Sequence, residues 1–312
     1  MRRRSWAAWT LLGLLAACGE RAARPAASDS ATLPRTVPAE STASTSVPPV
    51  ATDSAVGAVA SPAPSGYHRY PLAGASDLQA LAESLGPAGF TTVLKLNRID
   101  YARARAGDTL LVPNAVGDEL RHAPFPATIA LLDSVPRLIA VSQRVQAFAA
   151  YERGRLVRWG PTSTGKAKTP TPNALYFTNW KRKQTRSTDN DEWLLNWYFN
   201  FENRRGISFH EYDLPGYPAS HACVRLLAAD AEWIYRWADQ WALSRDGLSI
   251  LAWGTPVAVF GRYDFKAPGP WRRLGEDSLA VRITPAELDS VLAPYIGTIR
   301  ARIRPDSLAH PD

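Results

Sequence analysis

Cysteine is nearly missing from this chain: 312 residues hold only Cys18 and Cys223. Cys18 lies at the N-terminus and has its own explanation there, so Cys223 has no evident disulfide partner. Long apolar runs are missing too. The run Trp6 to Leu15 is too short to cross a bilayer. Dense charge is the third absence. The formal charge is +7, and three of the cations, Arg2, Arg3 and Arg4, sit in a leader expected to be removed. What remains is mild and scattered, which excludes a nucleic-acid partner. It suits an anionic envelope polymer only weakly.

Apolar residues make up 46% of the chain and Trp occurs 11 times, enough for a sizeable core in one large or two small domains. The N-terminus reads as an export signal over residues 1–17: a basic start, an apolar run, then small residues. Leu15-Ala16-Ala17-Cys18 resembles a bacterial lipobox, with Cys18 as the lipidated residue. An ordinary signal peptide with an A-x-A-like cut is the alternative. Acyl chains on Cys18 would hold the protein to a membrane. Gly19 in place of Asp resembles lipoproteins placed on the periplasmic face of the outer membrane. Residues 18–65, rich in Ala, Ser, Thr and Pro, cannot bury enough apolar surface to order themselves. They read as a disordered tether with a span of about 35–40 Å.

Residues 66–114 read as a small α+β module. An opening strand (Tyr67 to Pro71) leads to a short helix capped by Ser76, a second helical face (Thr92 to Asn97) and the strand Leu110 to Pro113. Residues 115–134 read as a connector. From 135 the pattern turns to β, with strands expected at 138–141, 145–151, 156–160, 193–201, 207–210 and 255–260. Gly160-Pro161-Thr162-Ser163-Thr164-Gly165-Lys166 is a near miss to a phosphate-binding loop. Ala167 replaces the required Ser or Thr, and Pro170 and Pro172 forbid the following helix, so a loop between strands is expected.

His210 to Arg225, HEYDLPGYPASHACVR, places two histidines beside the unpaired cysteine. A thiol with imidazoles close by is the pattern of an activated nucleophile. Asp230 is expected to cap the helix that follows, with Ala231, Ile234, Ala238 and Trp241 on one side. Residues 266–312 read as a tail containing the capping box Thr284 to Glu287 and a helix through Leu292. His68, His122 and His310 read as surface residues.

Two resemblances follow from these residues. LQALAESLG, VLKLNRID and RAGDTLLVP make residues 66–114 similar to a LysM module, which implies binding to the glycan of peptidoglycan. Residues 135–265, through STGKAKTPTP, ISFH and SHACVRL, resemble a YkuD-type L,D-transpeptidase catalytic domain. The implied fold is a mainly β, mixed sandwich with one or two helices. The implied reaction is attack by Cys223 on a peptidoglycan tetrapeptide stem, release of D-Ala, and transfer of the acyl group to an amine. The family pattern implies His210 as the base, held by the carbonyl of Glu211, with the backbone at His221, Ala222 and Cys223 facing the oxyanion. Ser220 is expected to bond within this loop, with contact to substrate left open. Ala222 stands where the family has Gly, a position that loses freedom at positive φ. His221 is left open between positioning the loop, touching substrate and acting as base. Arg225 either pairs with a substrate carboxylate or braces the loop. Trp197 and Tyr198, with Trp193, either line the substrate groove or pack in the core. No cofactor and no metal are expected. A zinc site of His210, His221 and Cys223, a hydrolase on the same fold, and an inactive wall-binding lipoprotein are the competing readings. The sequence says nothing of oligomeric state.

Overall fold

The computed structural model describes residues 66–187, 190 and 192–303. The leader, Cys18, the tether to residue 65, and His310 lie outside the described residues. All described residues belong to one compact unit, Ala58–Asp312.

The first elements make a small ribbon with a helix laid on it. Strand β1 (Tyr67–Pro71) pairs antiparallel with β2 (Thr109–Pro113), Tyr67 opposite Pro113. Helix α1 (Ala75–Asn97) lies between them in sequence and is broken at Gly86 (φ 67°) and Pro87. Proline lacks the amide and clashes with the preceding turn, so two short helices run in tandem. Ser76 is not the cap. Gly74 takes that place, and the Asp77 carboxylate reaches back to the amides of Ala73 and Gly74 at 2.6 and 3.3 Å. An acidic residue three positions into the helix does here what a capping side chain does elsewhere. Leu78, Leu81, Phe90, Val93, Leu110 and Val112 close a small core of their own.

Two sheets follow. The first contains β3 (Arg137–Ser142), β4 (Ala147–Glu152), β5 (Arg155–Pro161) and β6 (Ala174–Phe177). The second contains β7 (Lys181–Arg186), β8 (Leu194–Glu202), β9 (Ile207–Glu211) and β10 (Val224–Leu226), in the order β10-β9-β8-β7. Helix α2 (Ala228–Trp237) comes next, then a two-stranded ribbon of β11 (Ala242–Leu243) and β12 (Ile250–Ala252). Strand β13 (Pro256–Phe260) returns to the first sheet, parallel to β3 and antiparallel to β6, giving the order β5-β4-β3-β13-β6.

Successive strand residues face opposite sides. In β3, Ile139 and Val141 therefore face the second sheet, where Phe199, Phe201, Phe209, Val224 and Leu226 meet them with Ala231 and Ile234 of α2. Leu138 and Ala140 face the other way and are equally buried. That second face is covered by residues from both flanks. Phe125, Ile129 and Leu132 come from the expected connector. Trp271, Leu274, Val281, Ile283, Leu288, Leu292 and Ile299 come from the expected tail. The tail carries helix α3 (Pro285–Leu292), capped by the Thr284 hydroxyl on the Glu287 amide, and helix α4 (Ile296–Arg302). Connector and tail are thus part of the core, a role that their sparse, aperiodic apolar residues did not announce.

Two other expectations are corrected. Helix α2 begins at Ala228 after Leu227, so Asp230 sits inside its first turn rather than capping it. The helix ends at Trp237, which leaves Ala238 and Trp241 outside it. Asp230 is instead fully buried: Arg158 bonds it at 2.7 Å, and Lys95 of α1 lies 3.6 Å away. Lys95 also reaches Glu119 at 3.0 Å and the Trp159 carbonyl at 3.1 Å. Next to it, Arg98 is buried between the Trp159 and Trp271 rings and donates to the carbonyls of Lys95, Leu96 and Val145. Burial holds its pKa down to about 9. His122 is also buried, with Nδ1 3.2 Å from the Tyr67 hydroxyl, so it is not the surface residue expected.

Candidate active site

Strands β9 and β10 run parallel, with Val224 beside Phe209 and Arg225 beside His210. Alternation sends Phe209, Val224 and Leu226 into the core. Ser208, His210, Cys223 and Arg225 are left on the opposite face. His210, Cys223 and Arg225 open on one cavity with Ser220, His221, Ser187, Trp193, Leu195 and Tyr212.

His210 is buried, and its Nδ1 lies 2.9 Å from the Glu211 carbonyl. A carbonyl only accepts, so Nδ1 carries the proton and Nε2 keeps a free lone pair. Burial pulls its pKa down to about 4. The bond to Glu211 opposes this, and the charge of Arg225 reinforces it. The ring is therefore neutral near pH 7. The Cys223 sulfur lies 3.4 Å from the Ser208 hydroxyl and 3.7 Å from the Gly206 carbonyl.

The loop before Cys223 is held by the segment that nearly matched a phosphate-binding loop. Ser220 donates its amide to Thr164, accepts at its carbonyl from the Lys166 amide at 2.9 Å, and turns its hydroxyl to the Cys223 carbonyl. Thr171 donates to the Ala222 carbonyl at 2.8 Å while accepting from the Gly165 amide. A Cβ at Gly165 would lie 2.1 Å from the Thr169 carbonyl, so only glycine fits that close approach. Ala222 is buried at φ 87°, in the left-handed region that costs a residue with a Cβ. The Nε2 of His221 meets the Lys166 ammonium, and its ring stands edge-on to Trp193 with centroids 5.2 Å apart. An ammonium only donates, so Nε2 of His221 accepts.

Arg225 lies over the Tyr212 ring at 4.4 Å and donates to the Asp213 carbonyl at 3.4 Å. Tyr212 in turn stands edge-on to His210. The aromatic strand divides. Trp193 lines the cavity. Trp197, at φ 51° on a bulge of β8, packs its ring against Tyr235 of α2 and is not among the lining residues. Tyr198 is buried and donates its hydroxyl to the Gly206 carbonyl. A groove-lining role for Trp197 and Tyr198 is thus not what the structure places there. The bulge shifts both out of simple alternation.

Ser208, Tyr212 and Lys166 were missed. The alternation in Ile207-Ser208-Phe209-His210 could have flagged Ser208, which shares a face with His210. Nothing local marked Tyr212 or Lys166, which arrive through loop packing. Among the described residues, no group of three or more His, Cys, Asp or Glu side chains is placed to hold a metal ion. No helix among the described residues is long and apolar enough to cross a membrane.

Comparison with known proteins gives one family-model match and a set of structural likenesses. Residues 136–259 match the family model of YkuD, the L,D-transpeptidase catalytic domain. A solved L,D-transpeptidase from Stackebrandtia nassauensis is 23% identical over 41% of this chain and 57% of its own, with a TM-score of 0.34. An L,D-transpeptidase from Mycobacterium smegmatis is 20% identical over 40% and 59%, TM-score 0.32. One from Xylanimonas cellulosilytica is 22% identical over 62% and 98%, TM-score 0.39. The chain thus spans little more than half the length of the first two. No curated protein matches it. The likeness is to the YkuD L,D-transpeptidase catalytic domain and covers residues 136–259 of the chain.

Proposed function

We propose that this protein is a cysteine L,D-transpeptidase of the cell envelope, with peptidoglycan tetrapeptide stems as acyl donors. One observation carries the reading. Cys223, just before β10, and His210, on the adjacent parallel β9, open on one cavity, and the ring is fixed with Nε2 unprotonated.

The chemistry follows from those two groups. Nε2 of His210 takes the Cys223 proton as the sulfur attacks the carbonyl between stem residues three and four. The C–S bond forms, the C–N bond to the terminal D-Ala breaks, and the proton passes from His210 to the leaving amine. An amine of a second stem then attacks the thioester, gives its proton to His210, and expels the sulfur, which takes that proton back. Burial keeps His210 neutral, so its Nε2 is free to take a proton as attack occurs. Backbone amides at 221–223 are the donors proposed for the oxyanion. Ser220 and Ala222 shape that loop, and His221, held by Lys166, positions it. Arg225 is the group proposed to meet a stem carboxylate.

The envelope setting is proposed on the N-terminal sequence. A lipid on Cys18 anchors the chain to the periplasmic face of the outer membrane, and residues 18–65 let the catalytic domain reach the wall. The strand–helix–helix–strand module over 66–114 is proposed to touch the glycan.

The test is incubation with disaccharide-tetrapeptide followed by intact mass spectrometry. A thioester adduct on Cys223 with release of D-Ala is expected, and cross-linked dimers should outnumber tripeptides. Tripeptides alone would make the protein a carboxypeptidase. Folded protein that gains no mass, yet sediments with peptidoglycan, would overturn the enzymatic reading in favour of a wall tether. A carbapenem should also acylate Cys223.

A further inference from the structure

The loop between His210 and Cys223 does not stand alone. It is pinned by the segment that follows helix α1. Ile99 forms an antiparallel bridge with Pro215. The Asp100 amide donates to the Leu214 carbonyl at 3.2 Å, and the Leu214 amide returns a bond to Oδ2 of Asp100 at 2.7 Å. Arg103 pairs with Asp213. Gly216, at φ +84°, runs so close that a Cβ there would lie 3.3 Å from Cγ2 of Ile99. Leu214 itself is fully buried.

The contacts continue to the cavity. The Asp213 carbonyl accepts from Arg225, and the Arg225 guanidinium lies on the ring of Tyr212. Tyr212 stands edge-on to His210 and, with Arg225, lines the cavity. A residue more than a hundred positions upstream is therefore two hydrogen bonds from the cavity wall.

We infer that the N-terminal module completes the acyl-donor wall, with Asp100 as a positioning residue that fixes the 212–217 loop and thereby Tyr212 and Arg225. This role rests on the transpeptidase reading of the cavity. It requires no contact between Asp100 and substrate. It implies that anything bound to the module is felt at the cavity through this loop.

The experiment uses the full chain and compares wild type, Asp100→Ala and Asp100→Asn. Three quantities are read: amide hydrogen exchange over 212–217, the dependence of Cys223 acylation on tetrapeptide concentration, and the rate of Cys223 alkylation by iodoacetamide. Asp100→Ala removes the acceptor of the Leu214 amide, so exchange over 212–217 should quicken. The half-saturating tetrapeptide concentration should rise roughly tenfold, the scale of one lost buried hydrogen bond. The limiting acylation rate and the alkylation rate should each stay within about threefold, a change under 1 kcal/mol. Asp100→Asn keeps an acceptor oxygen and should restore all three. Exchange that does not change over 212–217 overturns the latch. Faster exchange with an unchanged half-saturating concentration overturns the role in donor binding. A parallel fall in alkylation would show a general collapse of the site and would also overturn it. Wild type that is alkylated but never acylated overturns the functional reading first, and this role with it.

Discussion

Two clusters of buried polar groups can be set side by side. In the seam between helix α1 and the five-stranded sheet, Lys95, Asp230, Arg158 and Glu119 answer one another's charge, and Arg98 spends its donors on three carbonyls between two indole rings. At the cavity, His210 is equally buried, and among the described residues no ion pair joins it to a carboxylate. Its Nδ1 instead donates to the carbonyl of its own neighbour, Glu211. The seam sets opposite charges against one another, whereas the cavity keeps its imidazole neutral by burial. The seam is built for cohesion. The cavity holds a base in reserve.

The largest way to sharpen this contrast is Cys223→Ala. It should abolish the thioester adduct with tetrapeptide while leaving the thermal midpoint nearly unchanged, since a half-buried thiol contributes little packing. Loss of fold, read by circular dichroism, would refute the division between the clusters. His210→Gln belongs with it: acylation should fall about 10²–10⁴-fold, the usual weight of a general base.

Second comes Asp230→Ala. It leaves Lys95 and Arg158 facing each other in the seam, so urea unfolding should show a loss of about 3–5 kcal/mol. The acylation rate per folded molecule should not change. A loss below 1 kcal/mol would mean that water, not Asp230, compensates those cations.

Acidity should distinguish the clusters next. The folded pKa of His210 lies below its ordinary value, so between about pH 6.5 and pH 4 the unfolded chain binds the extra proton. The associated stability is fully present above pH 6.5 and falls by about 1.4 kcal/mol per pH unit as pH drops toward 4. His210→Gln should remove that component of the slope. Equal slopes for wild type and variant would show that the ring is not buried as described.

The smallest effect is expected at the loop. Ala222→Gly relieves a left-handed backbone at the cost of unfolded-state entropy, for a net gain of about 1 kcal/mol. A destabilised glycine variant would show that the Ala222 methyl, buried in the inter-sheet core, outweighs the strain.

Some of this molecule could be read from its residues and some could not. The strands were legible because β3, β8 and β9 carry apolar residues in runs or alternation bounded by turns. Helix starts were misread at Ser76 and Asp230 for one shared reason. Each has capping chemistry but lies just inside the first turn: Gly74 takes the cap before Ser76, with backward bonds from Asp77, and Asp230 meets Arg158 instead. The histidines and the cysteine drew attention by chemical type alone. Lys166 and Tyr212 did not, because their place depends on how two loops dock. Trp197 was misleading because a bulge, invisible in the residue pattern, turned it away from the groove. The connector and tail hid their importance through low density: single apolar residues, far apart, each fill one place over a sheet face.

That covering has a practical consequence. A fragment trimmed to the bounds of the family match would carry the strands but strip one side of the first sheet to water, baring Leu138, Ala140, Trp159 and Ala258. Such a piece should precipitate or associate with itself. The smallest well-behaved polypeptide should need both flanks and run from near residue 66 to near residue 303.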